Sequence, residues 1–459
     1  MPTVSTGPSK EATEREPRLL DAVRESLEDG SAEAVAPLLQ DVPSADIAAV
    51  LEELSEEEQG ALFRHLDPET RAEVLGELGD DAVQTLAEAA PHRLQDAVGR
   101  MEPDEAVDVL ALLPPAQADA LLGQIPQEQA AAAERLLKYR SDSAGGLMTP
   151  EFVVLFVGIT AREAIEITQR SREAETVGHL FVADEADRLV GYLPLQRLVF
   201  ASPDRTLRDL MEECPFAASP EADQEELVRA ATHYRLEAIP VVDAAEKMIG
   251  VVTVDDILEA AEQETDEDMY KLAGTGERDP MHASVYDSTR LRLPWLMLSV
   301  LDGLFIAFLM SRFEGALRGV VELSFFIPLI PLMGGQVAIQ GSTIMVRALA
   351  LGNIRHTRLA RFLGRQLVVA LLLAVCCSLL AGVLGVVLVG TSVRLMVAVG
   401  LAVAVAIIFA GMLGMIFPLA FNAVGIDPAV SSGPFITMLS DLFCICTYLA
   451  LGMLLAPPG

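Results

Sequence analysis

The stretch PLIPLMGGQVAIQGSTIMVRALALGNIR, from Pro328 to Arg355, decides which class of protein this chain belongs to. It begins as an apolar run typical of a membrane-spanning helix, and it carries two prolines, a Gly-Gly pair, two glutamines and a Ser-Thr pair. Polar groups and loosened backbone at membrane depth are tolerated only where protein or water satisfies them. The stretch therefore predicts a span that lines a wet path rather than one that faces lipid.

Further apolar runs surround this stretch in the last third of the chain. The predicted spans are residues 293–312, 322–347, 366–390, 394–421 and 433–455. Each is long enough for the roughly 20 residues that a helix needs to cross a bilayer. The sequence therefore predicts a five-helix transmembrane domain that lies in the lipid bilayer.

The loop over residues 347–365 sets the expected orientation, because it carries five arginines. By the positive-inside rule this loop faces the cytoplasm, which places residue 292 inside as well. The first 20 residues lack the apolar run of a cleaved signal peptide, in agreement with that orientation. We expect a multi-pass protein of the cytoplasmic (inner) membrane, with cytoplasmic N-terminal domains and, after five spans, an outside C-terminus.

Charge is divided unevenly along the chain. The formal net charge is -33, but residues 292–459 hold nine Lys and Arg side chains against five Asp and Glu, so the acidic excess lies in residues 1–291. Phosphate binding needs clustered Lys and Arg, so the balance argues against nucleic acid as a partner. It suits divalent cations, although most of these acids also serve to keep a helical surface soluble.

The sequence gives little support for a disulfide scaffold, a zinc site or an enzyme active site. The spacing of the five cysteines fits neither a disulfide scaffold nor a zinc site. The six histidines are scattered, and the sequence contains no recognisable nucleophile–base set, phosphate loop or cofactor motif. We therefore do not expect an enzyme.

Residues 43–138 repeat with a period of about 12, in units such as DPETRAEVLGEL. Ser55 and Asp67 are candidate N-caps, and Pro68 and Pro103 fit the first turn of a helix. Each unit ends in an apolar, mostly Leu-containing stripe at helical spacing, which a helix this short cannot bury alone. Stacked units predict an all-α superhelical N-terminal domain.

A second repeat follows, in which VADEADRLVGYLPLQRL (Val182–Leu198) matches VVDAAEKMIGVVTVDDI (Val241–Ile257) at an offset of 59. Each copy is typical of a strand, a charged turn, a strand and a capped helix. An amphipathic helix is predicted before each copy, over residues 160–171 and 223–235. This α/β pattern resembles a tandem pair of CBS domains.

The CBS resemblance implies a nucleotide site in one copy. Thr253 and Asp256 keep the Thr-x-x-Asp pattern that holds a nucleotide ribose in many such domains, so ATP or another adenine nucleotide is a candidate ligand. The first copy has Pro194 and Arg197 at these positions, which puts its site in doubt.

The predicted organisation is multi-domain. It consists of a disordered N-terminus (1–17), the superhelical domain (18–138), the tandem CBS pair (139–264), a connecting or plug helix (265–291) and the transmembrane domain (292–459).

Two acids lie inside predicted spans, Asp302 in the first and Asp441 in the fifth. A charged group at bilayer depth costs at least about 2.5–3.5 kcal/mol on insertion scales, so each is a candidate for function. The alternative for each is a structural hydrogen bond to a neighbouring helix. We favour function for Asp441 and the structural alternative for Asp302.

The second span is expected to supply oxygen ligands beside Asp441. Pro328, Pro331, Gly334 and Gly335 are expected to loosen the helix and free carbonyl oxygens. Carbonyls, amides and a carboxylate are hard ligands that suit Mg²⁺, which gives up its waters reluctantly and is expected to stay mostly hydrated. A two-fold homodimer would double the lone carboxylate into a ring of two charges.

The order of these parts resembles the MgtE family of magnesium channels and transporters, from about residue 20 to the end. The matching stretches are DSAGGLMTPEFV (142–153), ADQEELVR (222–229), GVVTVDDILE (250–259), FFIPLI (325–330), RALALGNI (347–354) and GIDPAVSSGPFITMLSD (425–441).

The resemblance implies roles for particular residues. The pore-selectivity aspartate falls on Asp441, the pore-mouth aspartate falls on Asp427, and the pore-lining turn falls on Gly334, Gly335, Gln336 and Gln340. Inhibitory Mg²⁺ sites are implied at Glu73, Asp104 and Asp108 in the first domain, at Asp223, Glu225 and Asp256 in the CBS pair, and at Glu264, Glu267 and Asp268 in the connector.

Helical spacing supports part of that assignment. Asp104 and Asp108 are four residues apart, as are Glu264 and Asp268, so each pair shares one helix face and repels unless a cation bridges it. Asp256 is implied by both the ribose and the Mg²⁺ interpretations, and the sequence does not choose between them.

Two departures from the family pattern concern selectivity and regulation. The usual Gly-Gly-Asn-x-Gly-Asn-Gln run is GGQVAIQ here (Gly334–Gln340), which makes the pore-lining turn narrower and more apolar. Arg235 stands at a CBS position that is often acidic, so one regulatory site is expected to be weakened or lost.

The resemblance implies a homodimeric channel or transporter that moves hydrated Mg²⁺ down its electrochemical gradient and closes when cytosolic Mg²⁺ binds between the acidic surfaces. Two alternatives remain open. One is a transporter for another divalent cation (Co²⁺, Ni²⁺ or Mn²⁺), and the other is a membrane-anchored CBS sensor with a vestigial pore.

Overall fold

The structure is a computed structural model. It describes residues 19–27, 35–40, 42–171, 178–275, 285–314, 321–350, 356–390, 392–429 and 433–455. The predicted disorder of residues 1–17 falls outside these ranges. The chain divides into two compact units, residues 1–261 and residues 262–459.

The first unit begins with a run of short helices. Their bounds are α1 (Val35–Leu39), α2 (Ser44–Glu52), α3 (Glu56–His65), α4 (Pro68–Gly76), α5 (Asp80–Ala89), α6 (Pro91–Val98), α7 (Pro103–Ala111), α8 (Pro115–Leu122) and α9 (Gln127–Leu136). The eight helices α2 to α9, one per predicted repeat, confirm the helical superhelix. Most of their apolar stripes form one core, and buried side chains of α7 and α9 also join the core of the second CBS copy.

Local chemistry starts these helices where the sequence predicts. The Asp67 carboxylate accepts from the backbone N–H groups of Glu69 and Thr70, at 3.2 and 3.1 Å. At Ser55 the Glu58 carboxylate accepts from the serine N–H at 2.9 Å. Pro68 and Pro103 each lie in a first turn, where no backbone donor is missed.

The CBS pair follows. Its elements are α10 (Ala144–Leu147), β1 (Val154–Phe156), α11 (Ala161–Arg170), β2 (His179–Ala183), β3 (Leu189–Pro194), α12 (Leu195–Val199), α13 (Leu207–Leu210), α14 (Gln224–Tyr234), β4 (Ala238–Val242), β5 (Met248–Thr253) and α15 (Val254–Ala273). Strand β2 lies between β1, to which it is parallel, and β3, to which it is antiparallel, and β4 pairs antiparallel with β5.

The two copies match in detail at the predicted offset of 59. Strands β2 and β4 begin 59 residues apart, as do β3 and β5. In the turns, Asp184 accepts from the N–H groups of Ala186 and Arg188, just as Asp243 accepts from two N–H groups in its own turn. Asp187 and Glu246 occupy the left-handed region, at φ 59° and 62°. The repeat is therefore one supersecondary unit built twice.

The second unit carries the apolar helices. They are α16 (Val285–Arg312), α17 (Glu322–Phe325), α18 (Leu329–Ala350), α19 (His356–Val389), α20 (Val393–Ala423) and α21 (Pro434–Leu455). With α17 and α18 counted as one segment, five of them are long and apolar enough to cross a membrane, as predicted.

Helix α20 is the centre of this unit and packs against α18, α19 and α21. Small residues allow the close approach, since a side chain at Gly414 would clash with the backbone of Ala338 on α18. Helix α16 packs against α21 and buries none of its own residues fully. The single chain thus leaves its first span almost uncovered.

Three expectations about these elements need correction. The second span does not loosen at Gly334 and Gly335, because α18 runs through both, and the break falls at residues 326–328. Pro331 lies in the first turn of α18, where it removes no helical hydrogen bond. Helix α19 begins ten residues before the predicted third span, because arginine is a good helix former.

The third correction concerns the connector. The boundary predicted between residues 264 and 265 falls inside α15, which continues to Ala273. The turn at Gly274, with φ 74°, follows. Residues 276–284 lie outside the described ranges, and α16 already contains residues 285–291, so no separate helix over 265–291 is seen in the described part.

Candidate cation path and cation-sensing acids

Asp441 lies beside the Gly-Gly pair of the second span. Gly334 lets α18 approach α21 closely, because a side chain there would run into the Cys444 Sγ and Ser440 Oγ atoms. A Cβ placed on Gly335 would lie 3.8 Å from Asp441 Oδ1. The Asp441 carboxylate is half-buried, and among the described residues it has no basic partner. The structure therefore brings together the two sequence features that predict a cation path.

Asp302, in the first span, lies at about the same depth along its helix as Asp441 does in the fifth span. Trp295 and Pro434 both lie beside Gly274, and Asp302 and Asp441 each follow seven residues later, about 10 Å along a helix. Helices α16 and α21 pack together, so the two acids are carried on neighbouring helices. The structural alternative that we favoured for Asp302, a hydrogen bond to a neighbouring helix, is not seen among the described contacts.

A polar stripe runs along the exposed side of α18. It consists of Gln336, Gln340, Thr343 and Arg347, which recur at helical spacing and are all exposed in the single chain. The opposite side of the helix, with Gly334, Ala338, Gly341 and Met345, is buried against α20 and α21. The uncovered side of the second span thus carries a polar stripe that is flanked by the exposed apolar side chains of Leu332, Ile339 and Ile344.

Asp427, in the loop before α21, is paired with a lysine of the connector. Lys271 Nζ donates to Asp427 Oδ2 at 2.6 Å and also contacts the Glu267 carboxylate one turn earlier on α15. Burial lowers the pKa of Lys271, but the hydrogen bonds to Asp427 and Glu267 outweigh it and raise that pKa above its usual value. The lysine is a fixed positive charge at this loop.

A cluster of acids forms in the first unit between α7 and the start of α15. Asp104 is only 8% exposed, and its Oδ1 atom has no hydrogen-bond partner. Burial raises the pKa of Asp104 to about 8, and the negative charges of Asp256, Glu102 and Glu105 add to the effect. A buried carboxyl with acidic neighbours holds its proton or takes up a cation.

The acids next to Asp104 are less buried than Asp104 itself. Burial, with help from Asp256, raises the pKa values of Glu105 and Asp108 to about 7, although both side chains keep solvent access at the rim. Burial also raises the pKa of Asp256 to about 6, against the hydrogen bonds from Thr253 that lower it. We call Asp104, Glu105, Asp108 and Asp256 the acid cluster.

The described carboxylates of the acid cluster do not form a complete metal-binding site. Within the described ranges no three His, Cys, Asp or Glu side chains stand together closely enough to hold a metal ion. The donors nevertheless fit a hard divalent cation, because they are all carboxylates and one buried oxygen lacks a partner. The carboxylates would have to draw together to bind it.

Thr253 and Asp256 form a local pair that caps α15. The threonine hydroxyl donates to Asp256 Oδ2 at 2.6 Å, and its backbone N–H reaches the same oxygen at 3.3 Å. In the first CBS copy, Arg197 instead pairs with Glu212 at 2.7 Å and donates to the carbonyl of Leu210. The two copies therefore differ at the positions implied to hold a ribose.

The remaining predicted acids are dispersed. Glu73 is exposed on α4, and Asp223 caps α14 by accepting from the Glu225 N–H at 3.0 Å. Glu264 and Asp268 share one side of α15, half-buried, near Glu267. Arg235 ends α14 in the left-handed conformation, at φ 58°.

Sequence reasoning missed Glu105 and Lys271. Glu105 stands next to Asp104 but is not four residues from it, so helical spacing indicated Asp108 and not Glu105. Lys271 is four residues after Glu267 and follows a run of acids, which was an available signal for an ion pair.

Family models match most of this architecture. Residues 327–451 match the divalent cation transporter model of MgtE, residues 42–142 match the MgtE intracellular N domain, and residues 144–204 and 207–263 match the CBS domain. The magnesium transporter MgtE of Thermus thermophilus is 32% identical over 328 residues, which cover 71% of this chain and 72% of that relative. The chain belongs to the MgtE family.

Other MgtE proteins agree with this assignment. The magnesium transporter MgtE of Bacillus subtilis is 32% identical over 321 residues, which cover 70% of this chain and 71% of that relative. The crystal structure of the cytosolic domain of the Mg²⁺ channel MgtE in complex with ATP is 30% identical, with a TM-score of 0.50, and covers 52% of this chain and 99% of that one. The predicted fold class is confirmed, with a helical N-terminal domain, a CBS pair and five apolar helices.

Proposed function

We propose that this chain is a magnesium channel or transporter that passes hydrated Mg²⁺ down its electrochemical gradient, through a path lined by α18 and Asp441. The observation that carries the proposal is the placement of the Asp441 carboxylate beside Gly335 of α18, a span that carries a polar stripe on its uncovered side. A lone acid at this depth is costly unless a cation or water accompanies it.

The ligand types favour Mg²⁺ among divalent ions. Asp441 offers carboxylate oxygens, and Gln336 and Gln340 offer amide oxygens, all of which are hard ligands. Because the Gly-Gly stretch stays helical, its carbonyls remain in the helix, and Asp441 and the two amides are left as the main oxygen donors. They suit a hydrated ion held by outer-sphere hydrogen bonds. Transport of Co²⁺, Ni²⁺ or Mn²⁺ is the second candidate, and the altered GGQVAIQ run favours it.

A homodimer would complete the path. The polar stripe of α18 is exposed in one chain, and polar and charged side chains are costly to leave facing lipid. A two-fold partner would place two such stripes and two Asp441 carboxylates around one axis. Gly335, Gln336 and Gln340 would then line the selective part, and Asp427 would lie at its cytoplasmic mouth. Gly334, which is buried against α21, would support this turn from behind rather than line it.

The acids of the cytoplasmic part would act as the sensor. Without a counter-ion the acid cluster and the connector acids Glu264, Glu267 and Asp268 repel one another, so their helices move apart and the path opens. A bound divalent cation would supply the charge that lets these carboxylates approach, together with Glu73, Asp223 and Glu225. Closing is then a shift of a two-state equilibrium, with no chemical reaction.

Adenine nucleotide is the candidate second ligand of the CBS pair. Thr253 and Asp256 are held together at the end of β5, and the cytosolic domain of a related Mg²⁺ channel was crystallised with ATP. Asp256 also belongs to the acid cluster. Nucleotide and Mg²⁺ binding are therefore expected to influence each other.

We place the protein in the cytoplasmic (inner) membrane, with the first unit in the cytoplasm and the C-terminus outside. The five arginines between residues 347 and 365 support this orientation. The family is one of magnesium transporters and channels, and we assign no enzymatic activity to the chain.

The test is Mg²⁺ flux into vesicles that contain the purified protein, compared between the wild type and Asp441→Ala. We expect the wild type to conduct and Asp441→Ala to lose at least about 90% of the flux, since the lone path carboxylate is gone. Glu322→Gln, which removes an exposed acid at the start of α17, is the matched control and should conduct normally.

Each other outcome has a meaning. An inactive wild type that still binds Mg²⁺ or ATP would favour the membrane-anchored sensor. Equal flux in the wild type and Asp441→Ala would overturn the proposed path. Preference for Co²⁺, Ni²⁺ or Mn²⁺ in the same vesicles would favour the second candidate ion.

A further inference from the structure

Lys271, near the end of the connector, pairs with Asp427 in the loop before the fifth span. Lys271 Nζ lies 2.6 Å from Asp427 Oδ2, and the two side chains are only 25% and 38% exposed. Lys271 is the last lysine in the sequence, after Lys10, Lys138 and Lys247. A lysine is a compact point charge on a flexible stem, which is the kind of group that can stand where an ion would stand.

Backbone contacts hold this lysine in position. A Cβ on Gly433 would lie 2.8 Å from the carbonyl oxygen of Leu272, and a Cβ on Gly274 would lie 3.0 Å from Pro434 Cγ. Gly274 also takes the left-handed conformation at φ 74°, which turns the chain immediately after the helix. The end of α15 therefore fits closely against Gly433 and Pro434.

We propose that Lys271 is a tethered cation that occupies the Asp427 carboxylate, so that a divalent cation reaches this carboxylate only by displacing the lysine. The inference rests on the proposed role of Asp427 at the mouth of the path. Because the carboxylate is available only while the lysine is away, the apparent affinity of Asp427 for Mg²⁺ is reduced by that fraction.

Glu267 gives the displaced lysine a place to go. It already contacts Lys271 from one helical turn earlier, so the ammonium group can leave Asp427 and keep one carboxylate partner. The exchange therefore costs less than releasing the lysine into solution. It also ties Glu267, an implied Mg²⁺ ligand, to the state of Asp427.

The chain contains a natural reporter of this exchange. Trp295 is the single tryptophan, and its Cγ atom lies 3.8 Å from the position of a Cβ on Gly274. Release of the connector end changes the surroundings of Trp295. Its fluorescence, measured on the full-length protein in detergent during a Mg²⁺ titration, therefore follows the exchange without any measurement of transport.

We expect Lys271→Gln to lower the Mg²⁺ concentration at the midpoint of the Trp295 change by roughly three- to tenfold, because the competing charge is gone. Lys271→Arg should raise the midpoint, since arginine binds a carboxylate through two parallel hydrogen bonds. Lys247→Gln is the matched control. It removes a lysine from the exposed pair with Asp187 and should leave the midpoint unchanged.

The proposal is overturned if the midpoint of Lys271→Gln equals or exceeds that of the wild type, or if wild-type emission does not respond to Mg²⁺. It is also overturned if Lys271→Gln still shifts the midpoint in an Asp427→Asn background. If Lys271→Gln does not fold, the midpoint of Lys271→Arg decides. The flux of Asp441→Ala tests the proposed function separately, since the Trp295 titration does not depend on conduction.

Discussion

The acid cluster of the first unit and the loop before the fifth span place carboxylates in opposite settings. Asp104 is buried among other acids, one of its oxygens has no partner, and its pKa is raised to about 8. Asp427 has a lysine at 2.6 Å. Among the described residues no basic side chain pairs with Asp104, whereas Lys271 supplies a positive charge to Asp427.

This difference indicates how each region should respond to added ions. Burying an unpaired charge is costly, so the acid cluster gains from any cation that enters it. At Asp427 an incoming ion must first replace a charge that is already there, so the net gain is smaller. We therefore expect the acid cluster to respond to Mg²⁺ first and the loop to respond at higher concentration.

The largest effect is expected from removing charge in the acid cluster. Asp104→Asn combined with Asp108→Asn should raise the cytosolic Mg²⁺ concentration that halves the current by about tenfold or more, because two carboxylates that would bind the closing cation are gone. Patch-clamp recording with Mg²⁺ varied on the cytosolic side measures this. Asp187→Asn removes an exposed acid of the CBS pair and should behave as the wild type; a double variant that still closes at the wild-type concentration would show that the acid cluster is not the sensor.

The next effect is a dependence on pH. The folded-state pKa values of the acid cluster lie between about 6 and 8, above the usual value, so these groups favour folding at low pH and lose that contribution as the pH rises through this window. Mg²⁺ must displace the same protons, so its binding should strengthen by up to about tenfold per pH unit between pH 6 and 8.

Thermal unfolding of the full-length protein at pH 6, 7 and 8, with and without Mg²⁺, measures both trends. Without Mg²⁺ the melting temperature should fall as the pH rises, and with Mg²⁺ the fall should be smaller. A melting temperature that rises with pH in the absence of Mg²⁺ would contradict the raised pKa values.

A smaller effect is expected from Asp104→Asn alone. Replacing a buried acid by a neutral amide of similar size should raise the free energy of unfolding at pH 8 by about 1 kcal/mol when Mg²⁺ is absent. The gain should shrink as the pH falls and disappear below about pH 4, where Asp104 carries its proton in both the folded and the unfolded chain. Lys247→Gln breaks an exposed ion pair and should change the stability by less than about 0.5 kcal/mol; a destabilised Asp104→Asn at pH 8 would argue that Asp104 has a partner.

Much of the fold follows from periodicity in the sequence. The 12-residue repeat reflects the need of each short helix to bury its apolar stripe. The offset of 59 reflects one strand–turn–strand unit that is built twice, and the five apolar runs reflect the length needed to cross a bilayer. The second span was predicted to loosen around Gly334 and Gly335 because both Pro and Gly weaken an isolated helix. Pro331 costs nothing in a first turn, and Gly334 stays helical because α21 packs against it.

The candidate site was less predictable than the fold. The juxtaposition of Asp441 and Gly335 could be inferred, since Asp302 and Asp441 are the two acids in the interior of the predicted spans, and Glu322 stands at the edge of one. The pairing of Lys271 with Asp427 joins residues 156 positions apart, and no local pattern indicates it. The burial of Asp104 depends on α15, which folds over it from another domain of the same unit, so the sequence could mark the acid but not its environment.

The central claim is that the acid cluster binds Mg²⁺ because it lacks a cation of its own. Calorimetric titration of Mg²⁺ into the full-length protein at pH 7.5 and low salt tests this claim most directly, with Asp104→Asn/Asp108→Asn compared against Asp187→Asn. The account predicts that the double variant loses at least one Mg²⁺ site per chain while Asp187→Asn keeps all of them. The same number of sites with the same affinity in all three proteins would contradict it.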